Sequence, residues 1–115
     1  MKKYAENHEY ASVEGKIATV GISQEAADDL GDITEVTFPE VGKEVKKGDS
    51  FLTLESIKAT QEIYAPMSGV IIEVNTALAD TPELINDDAE GEGWIVKIEI
   101  SDAAELDDLF DEDPF

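Results

Sequence analysis

Cysteine is absent from this chain, and so is arginine. Without cysteine there is no disulfide scaffold, no thiolate metal site and no cysteine nucleophile. The single histidine, His8, stands beside Glu9 and supplies no nucleophile, base and orienting group of the kind a hydrolase needs. The glycines form neither G-x-G-x-x-G nor G-x-x-x-x-G-K, so no phosphate-cradling loop is present. No apolar run approaches the roughly 20 residues of a membrane span. The amino terminus, Met1 to Asn7, has two lysines but no apolar stretch behind them, which fits neither a signal peptide nor a transit peptide. The expectation is a cytoplasmic protein of bacterial type, mitochondrial only if a presequence was removed.

What the chain does have is negative charge. It carries 28 acidic residues against 8 lysines, a formal charge of −20 and a pI near 4.1. Such a surface repels phosphate backbones and anionic headgroups, so neither nucleic acid nor membrane is an expected partner. Basic patches on other proteins suit it, with on-rates that fall as salt rises. At 115 residues and 42% hydrophobic content, one domain covering 1–115 with one core is expected.

Short β-branched runs dominate the pattern. Ile17–Ile22 reads as a strand, then Ser23 as an N-cap of a helix of about two turns that stops at Gly31. Ile33–Phe38 alternates apolar and polar residues except at its first position, and Pro39 closes it. Phe51–Leu54 and Ile63–Ala65 read as paired strands, with Lys58 near the hairpin tip. Pro66–Gly69 is a turn before the strand Val70–Val74, and the passages 41–49 and 66–75 flank Lys58 almost evenly, like a pseudo-symmetric unit. Thr81-Pro82 opens a brief helix, Asn86–Gly93 reads as a polar loop, and Trp94–Ile100 as a strand. Asp102 and Glu105 have capping-box spacing ahead of a C-terminal helix with Leu106, Leu109 and Phe110 as its apolar stripe; residues 110–115 are an expected frayed tail.

Asn86, Asp88, Glu90 and Gly91 imitate the opening of a calcium loop, but Lys97 stands where the bidentate Glu is required. The carboxylates from Asp107 to Asp113 read as a solvated charge run. No metal site is expected. Lys58 has two readings: a solubilising lysine in a turn, or an amine presented for acylation on stiff strands. Ser56 and Ala59 are unobtrusive neighbours of the kind acylation needs, while Pro66 and Gly69 hold the opposite turn tight.

Several stretches taken together decide between them. These are His8-Glu9, Ala18–Ile22, Leu30-Gly31-Asp32, Phe38–Gly42, Val45–Asp49, Glu55-Ser56-Ile57-Lys58-Ala59, Tyr64–Gly69, Pro82–Asn86 and Gly91–Trp94. In this order and spacing the chain closely resembles the glycine cleavage system H-protein family from about Tyr4 to Leu109. The resemblance implies a mostly β fold with short helices, a barrel-sandwich hybrid of lipoyl/biotinyl type with peripheral helices. It implies lipoate in amide linkage on Lys58, with Glu55 and Gly42 recognised by the lipoylating enzyme. The implied role is a non-catalytic carrier working with three enzymes. A pyridoxal-phosphate glycine decarboxylase loads the arm, a tetrahydrofolate-dependent aminomethyltransferase unloads it, and dihydrolipoamide dehydrogenase reoxidises it. An arm of on the order of 14 Å by summed bond lengths suffices for that traffic.

The resemblance further implies an arm cleft involving Asn7, Glu9 and Glu62, where a carboxylate bonds the aminomethyl ammonium; the alternative reading makes Glu9 and Glu62 plain exposed carboxylates. A carrier that docks on every face near Lys58 is expected to be a monomer. Two departures stand out: Tyr10 where the family usually has Trp, and Ala89-Glu90 where it usually has Pro-Tyr. Other readings are an H-like lipoyl protein for lipoate relay or sulfur oxidation, and an unmodified acidic interaction module. A biotin carrier is a further one, disfavoured by Ile57 and Ala59 where Met is usual.

Overall fold

A computed structural model of the chain describes residues 2–5 and 8–110. Asn7 and the segment 111–115 lie outside the described residues. Two antiparallel layers make the fold. The larger sheet has six strands, ordered β1 (Lys2–Tyr4), β2 (Glu9–Glu14), β3 (Ile17–Ile22), β9 (Val96–Ile100), β8 (Gly69–Val74) and β5 (Glu44–Val45). The smaller has three, β4 (Ile33–Thr37), β6 (Ser50–Ser56) and β7 (Thr60–Tyr64). Short helices α1 (Gln24–Leu30), α2 (Ala77–Asp80) and α3 (Leu84–Asp88) and a closing 3₁₀ segment (Ala103–Asp108) lie at the periphery. The mostly β sandwich expected from sequence is what forms.

The core is one cluster in which both layers take part, including Val20, Ile22, Ile71 and Ile98 from the large sheet and Leu52, Leu54 and Ile63 from the small one. Val96, Ile98 and Ile100 share the buried face expected of their alternation. The odd first position of β4 has a physical cause. A bulge between Ile33 and Glu35 shifts the register by one residue, so Ile33 and Val36 are both buried.

Three expectations need correction. Asn86–Asp88 is helical, because α3 runs on past Ile85 to Asp88. The last strand begins at Val96; ahead of it Ile95 N–H still donates to the Val20 carbonyl, but the Trp94 carbonyl is taken by the Asn75 side chain and not by a strand. The C-terminal element is 3₁₀, and its capping box is only half made. Asp102 accepts from Ala104 N–H, but Glu105 turns away to accept from Ser68 N–H at 2.8 Å and Ser68 Oγ at 3.0 Å. That pair ties the last turn to the loop before β8.

The central feature is a hairpin longer than either sheet. It begins where Gly42 N–H donates to the Ile71 carbonyl at 2.6 Å, and continues through Glu44↔Val70 in the large sheet. It then passes through Gly48 N–H to the Ala65 carbonyl at 2.9 Å, and through Ser50↔Tyr64 to Glu55↔Thr60 in the small sheet. The two passages flanking Lys58 are therefore the two legs of one hairpin that changes sheets half-way. The near-even spacing seen in the sequence has this as its origin.

Tyr10 and Glu90, the two departures from the family pattern, meet in space through Lys2. The Lys2 ammonium lies 2.6 Å from Glu90 and 5.0 Å from the centre of the Tyr10 ring. Glu90 also accepts from Tyr4 Oη at 2.7 Å and Gln24 N–H at 3.1 Å. Partial burial pushes the Glu90 carboxyl up, but the bonds from Lys2, Tyr4 and Gln24 outweigh it and hold the group below its ordinary value. A depressed folded value stabilises the fold above the unfolded carboxylate range, and that contribution disappears as pH falls through the folded value. Glu90→Gln is expected to cost about 1–2 kcal/mol in urea unfolding at pH 7. In strong acid, where both states are protonated, the same comparison gives no difference.

Candidate functional site

The bend between β6 and β7 is built by Ser56. Its N–H donates to the Ala59 carbonyl at 2.9 Å, and its hydroxyl accepts from the amides of Lys58 and Ala59 at 3.3 and 3.2 Å. A small hydroxyl residue here closes the turn locally, as Ser and Thr do. Ile57 and Lys58 are thrown outward, with Ile57 68% exposed.

The bend rests on the end of α1. Ile57 N–H donates to the Asp32 carbonyl at 3.1 Å, and Lys58 Nζ donates to the Asp29 carbonyl at 2.9 Å. Gly31 is needed for its backbone, at φ +74° where a side chain is strained; a Cβ there would meet Ile57 Cγ1 at 3.4 Å and Lys58 Cε at 3.7 Å, ordinary contact distances. Asp29 is not singled out by the sequence, and Asp32 enters only as the end of the Leu30-Gly31-Asp32 stretch, with no role. The signal available for them was the helix stop at Gly31, whose partner across the turn is invisible in one dimension.

Glu55, three residues before the lysine, is exposed and sits opposite Thr60 on one side and Glu35 on the other. Two carboxylates directly across a ladder repel, so this edge of the bend is strongly negative. Gly42, at φ +95°, lies at the opposite end of the long hairpin from Lys58.

Glu62 is exposed and accepts from Tyr64 Oη at 3.2 Å. Its charge, foremost, and that hydrogen bond raise the Tyr64 hydroxyl above its usual range. Glu9 differs sharply, being 2% exposed on β2. Burial pushes its carboxyl up to about 8, against the opposing pull of the Tyr64 backbone N–H. The reading of Glu9 as a plain exposed carboxylate is thereby overturned: pairing of β2 between β1 and β3 carries it inside.

Two cavities have residues of β7 in their walls. One, of about 320 Å³, has Glu9, Tyr64, Ala65, Pro66, Lys47 and Leu109 in its wall. The other, of about 250 Å³, is walled by Ile22, Ala26, Leu30 and Ile63 with His8, Asp29 and Gln61 at polar points. Lys58 is bonded to Asp29 at the rim of the second. Glu62 lines neither cavity. Among the described residues no group of acidic or histidine side chains is arranged to hold a metal ion, and no helix is long and apolar enough to cross a membrane.

Comparison with known proteins brings this geometry together with the sequence. The family model described as "Glycine cleavage H-protein" matches residues 2–115. The glycine cleavage system H protein of Thermotoga maritima is 56% identical over 100% of this chain and 93% of its own length. That of Symbiobacterium thermophilum is 51% identical over 95% of this chain and 85% of its own. The crystal structure of a glycine cleavage system H protein from Mycobacterium marinum superposes with a TM-score of 0.83 at 36% identity, over 87% of this chain and 84% of that one.

Proposed function

The chain belongs to the glycine cleavage H-protein family, and from that premise we propose that Lys58 is the residue that carries its lipoyl group. The protein is the lipoyl carrier of the glycine cleavage system. One observation carries the assignment of the site: Lys58 alone of the lysines stands at the tip of the sheet-crossing hairpin, exposed and held by a backbone carbonyl of α1.

On loading, deprotonated Lys58 Nζ bonds to the activated carboxyl carbon of lipoate; the activating group leaves and the proton lost goes to solvent. The product is a neutral amide, so the charge that binds the ammonium to the α1 carbonyl is removed. What remains is a long arm on a stiff base. The disulfide of lipoate, when present, supplies the group that accepts an aminomethyl unit. The fit is physical: the apolar wall of Ile22, Ala26, Leu30 and Ile63 beside Lys58 suits a dithiolane and keeps water from it. Glu9, buried in the wall of the other cavity beside β7, can hold or release a proton near neutral pH and so balance an ammonium brought to it.

Glu55 and Glu35 present negative charge to the lipoylating enzyme, and Gly42 shapes the far turn it recognises. The partners in sequence are the pyridoxal-phosphate decarboxylase, the tetrahydrofolate-dependent aminomethyltransferase and dihydrolipoamide dehydrogenase. In this reading the protein acts as a monomeric co-substrate and not as a catalyst, in the cytoplasm of a bacterial cell. The relay and sulfur-oxidation readings are not favoured by the relatives.

Intact mass with peptide mapping tests the site, on protein expressed with lipoate supplied. The expected result is one lipoyl group, on the peptide containing Lys58. An unmodified Lys58, in a strain that lipoylates a control domain, would overturn it.

A further inference from the structure

Asn86 falls in the segment that imitates a calcium loop, yet its side chain is already committed elsewhere. Its Oδ1 accepts from Ile33 N–H at 2.8 Å, while its Nδ2 donates to the Gly31 carbonyl at 2.8 Å and the Ala27 carbonyl at 3.4 Å. Reversing the amide would set oxygen against two carbonyl oxygens, so this orientation is the one the network permits. From α3, a single side chain thus spans the last turn of α1 and the first residue of β4.

Between those two clamp points lies Asp32, and the Asp32 carbonyl is what holds Ile57 N–H at the bend. One turn earlier, within the span between Ala27 and Gly31, lies Asp29, whose carbonyl receives Lys58 Nζ. Both anchors of the bend are therefore backbone carbonyls at the end of the seven-residue α1, Asp29 in its last turn and Asp32 just past its cap Gly31. Such an end has no regular partners of its own for its last carbonyls. Gln24 reinforces the arrangement, donating from Nε2 to the Asn86 carbonyl at 2.8 Å and accepting from Ala89 N–H at 3.0 Å.

We propose that Asn86 is a positioning residue for acylation of Lys58, acting through the α1–β4 junction. Its side-chain hydrogen bonds go to Ile33, Gly31 and Ala27 and not to the bend; they fix the peptide that holds it. Removing the amide leaves the Gly31 carbonyl and Ile33 N–H unpaired and lets the Asp32 peptide rotate. The lysine then samples positions away from the one the lipoylating enzyme meets, and small misplacements of a reacting group are costly in rate. The inference rests on the carrier reading of Lys58.

The test compares wild type with Asn86→Ala and Asn86→Asp, each first shown folded by circular dichroism at the assay temperature. Asn86→Asp keeps the acceptor for Ile33 N–H but puts a carboxylate oxygen against the Gly31 carbonyl, so it carries the test should Asn86→Ala fail to fold. With an ATP-dependent lipoylating enzyme and lipoate, kcat/KM for Lys58 is expected to fall about tenfold. Hydrogen exchange at the Ile57 amide is expected to quicken by a similar factor. Acylation of Lys58 by an N-hydroxysuccinimide ester, which needs no docking, should be unchanged. Wild-type enzymatic kinetics together with wild-type exchange at Ile57 in a folded variant would overturn the proposal alone. A wild-type chain that the enzyme leaves unacylated would overturn the carrier reading, and this inference with it.

Discussion

Lys58→Arg is expected to abolish lipoyl loading and, with it, all glycine cleavage in a system reconstituted from the four components. The guanidinium stays protonated and is not acylated in place of the amine. Yet Lys58 is exposed, and its side chain bonds a backbone carbonyl, an acceptor that a guanidinium can also use. The melting temperature should therefore move by no more than about 3 °C. Mass spectrometry and a melting curve on the same preparation check both halves. Residual turnover in the variant would place the carrier amine on another lysine.

The second large effect concerns Glu9 and pH. Its folded value of about 8 lies above an ordinary value of 4.5. Below pH 4.5 both folded and unfolded chains hold the proton, and burial of the neutral acid carries no ionic penalty. As pH rises from there to about 8, the unfolded chain releases a proton that the folded chain retains, and stability falls steadily. Above that range both are ionised and the loss is complete, at roughly 3–5 kcal/mol. Glu9→Gln, which mimics the neutral acid, should be unchanged at pH 4 and more stable than wild type at pH 9 by about that amount. Urea unfolding of both proteins across this range gives the difference curve. A flat difference would show that the buried carboxyl ionises without cost.

The same substitution separates stability from function. A variant that gains stability in base but no longer protects a loaded arm from hydrolysis would show that the carboxyl is retained for its proton, at the expense of the fold.

Much of this architecture could be read from the chain. Ser23 and Gly31 bounded α1 correctly because capping and the left-handed C-terminal residue are local chemistry. The Lys58 bend was legible for the same reason, since the turn is closed within Ser56 to Ala59. What could not be read depends on pairings far apart in sequence. β1 and β5 have three and two residues, too few to show a period, and exist because neighbours pair with them. The bulge in β4 reverses the apparent face of Ile33, which a strict period of two misassigns. For Glu9 the sequence left a cleft residue and a plain exposed carboxylate both open, because burial of one carboxylate is decided by how β2 packs in the folded chain. Asn86 reads from sequence as part of a polar loop whose likeness to a calcium loop fails at Lys97. It is instead a bridge to residues 27–33, and only the fold brings those together.

The hairpin that changes sheets also orders events during synthesis. Its contacts, from Glu55↔Thr60 out to Glu44↔Val70, close short loops and can zip as soon as that stretch has left the ribosome. The large sheet is different, because β3 pairs with β9 through Val20↔Val96 and cannot be completed until β9 has been made. A nascent chain therefore carries a formed lysine bend in one sheet while the β3 edge of the other is still open. A stall or truncation ahead of Val96 leaves that edge as a template for pairing with other chains, so the last strand guards against aggregation as well as closing the core.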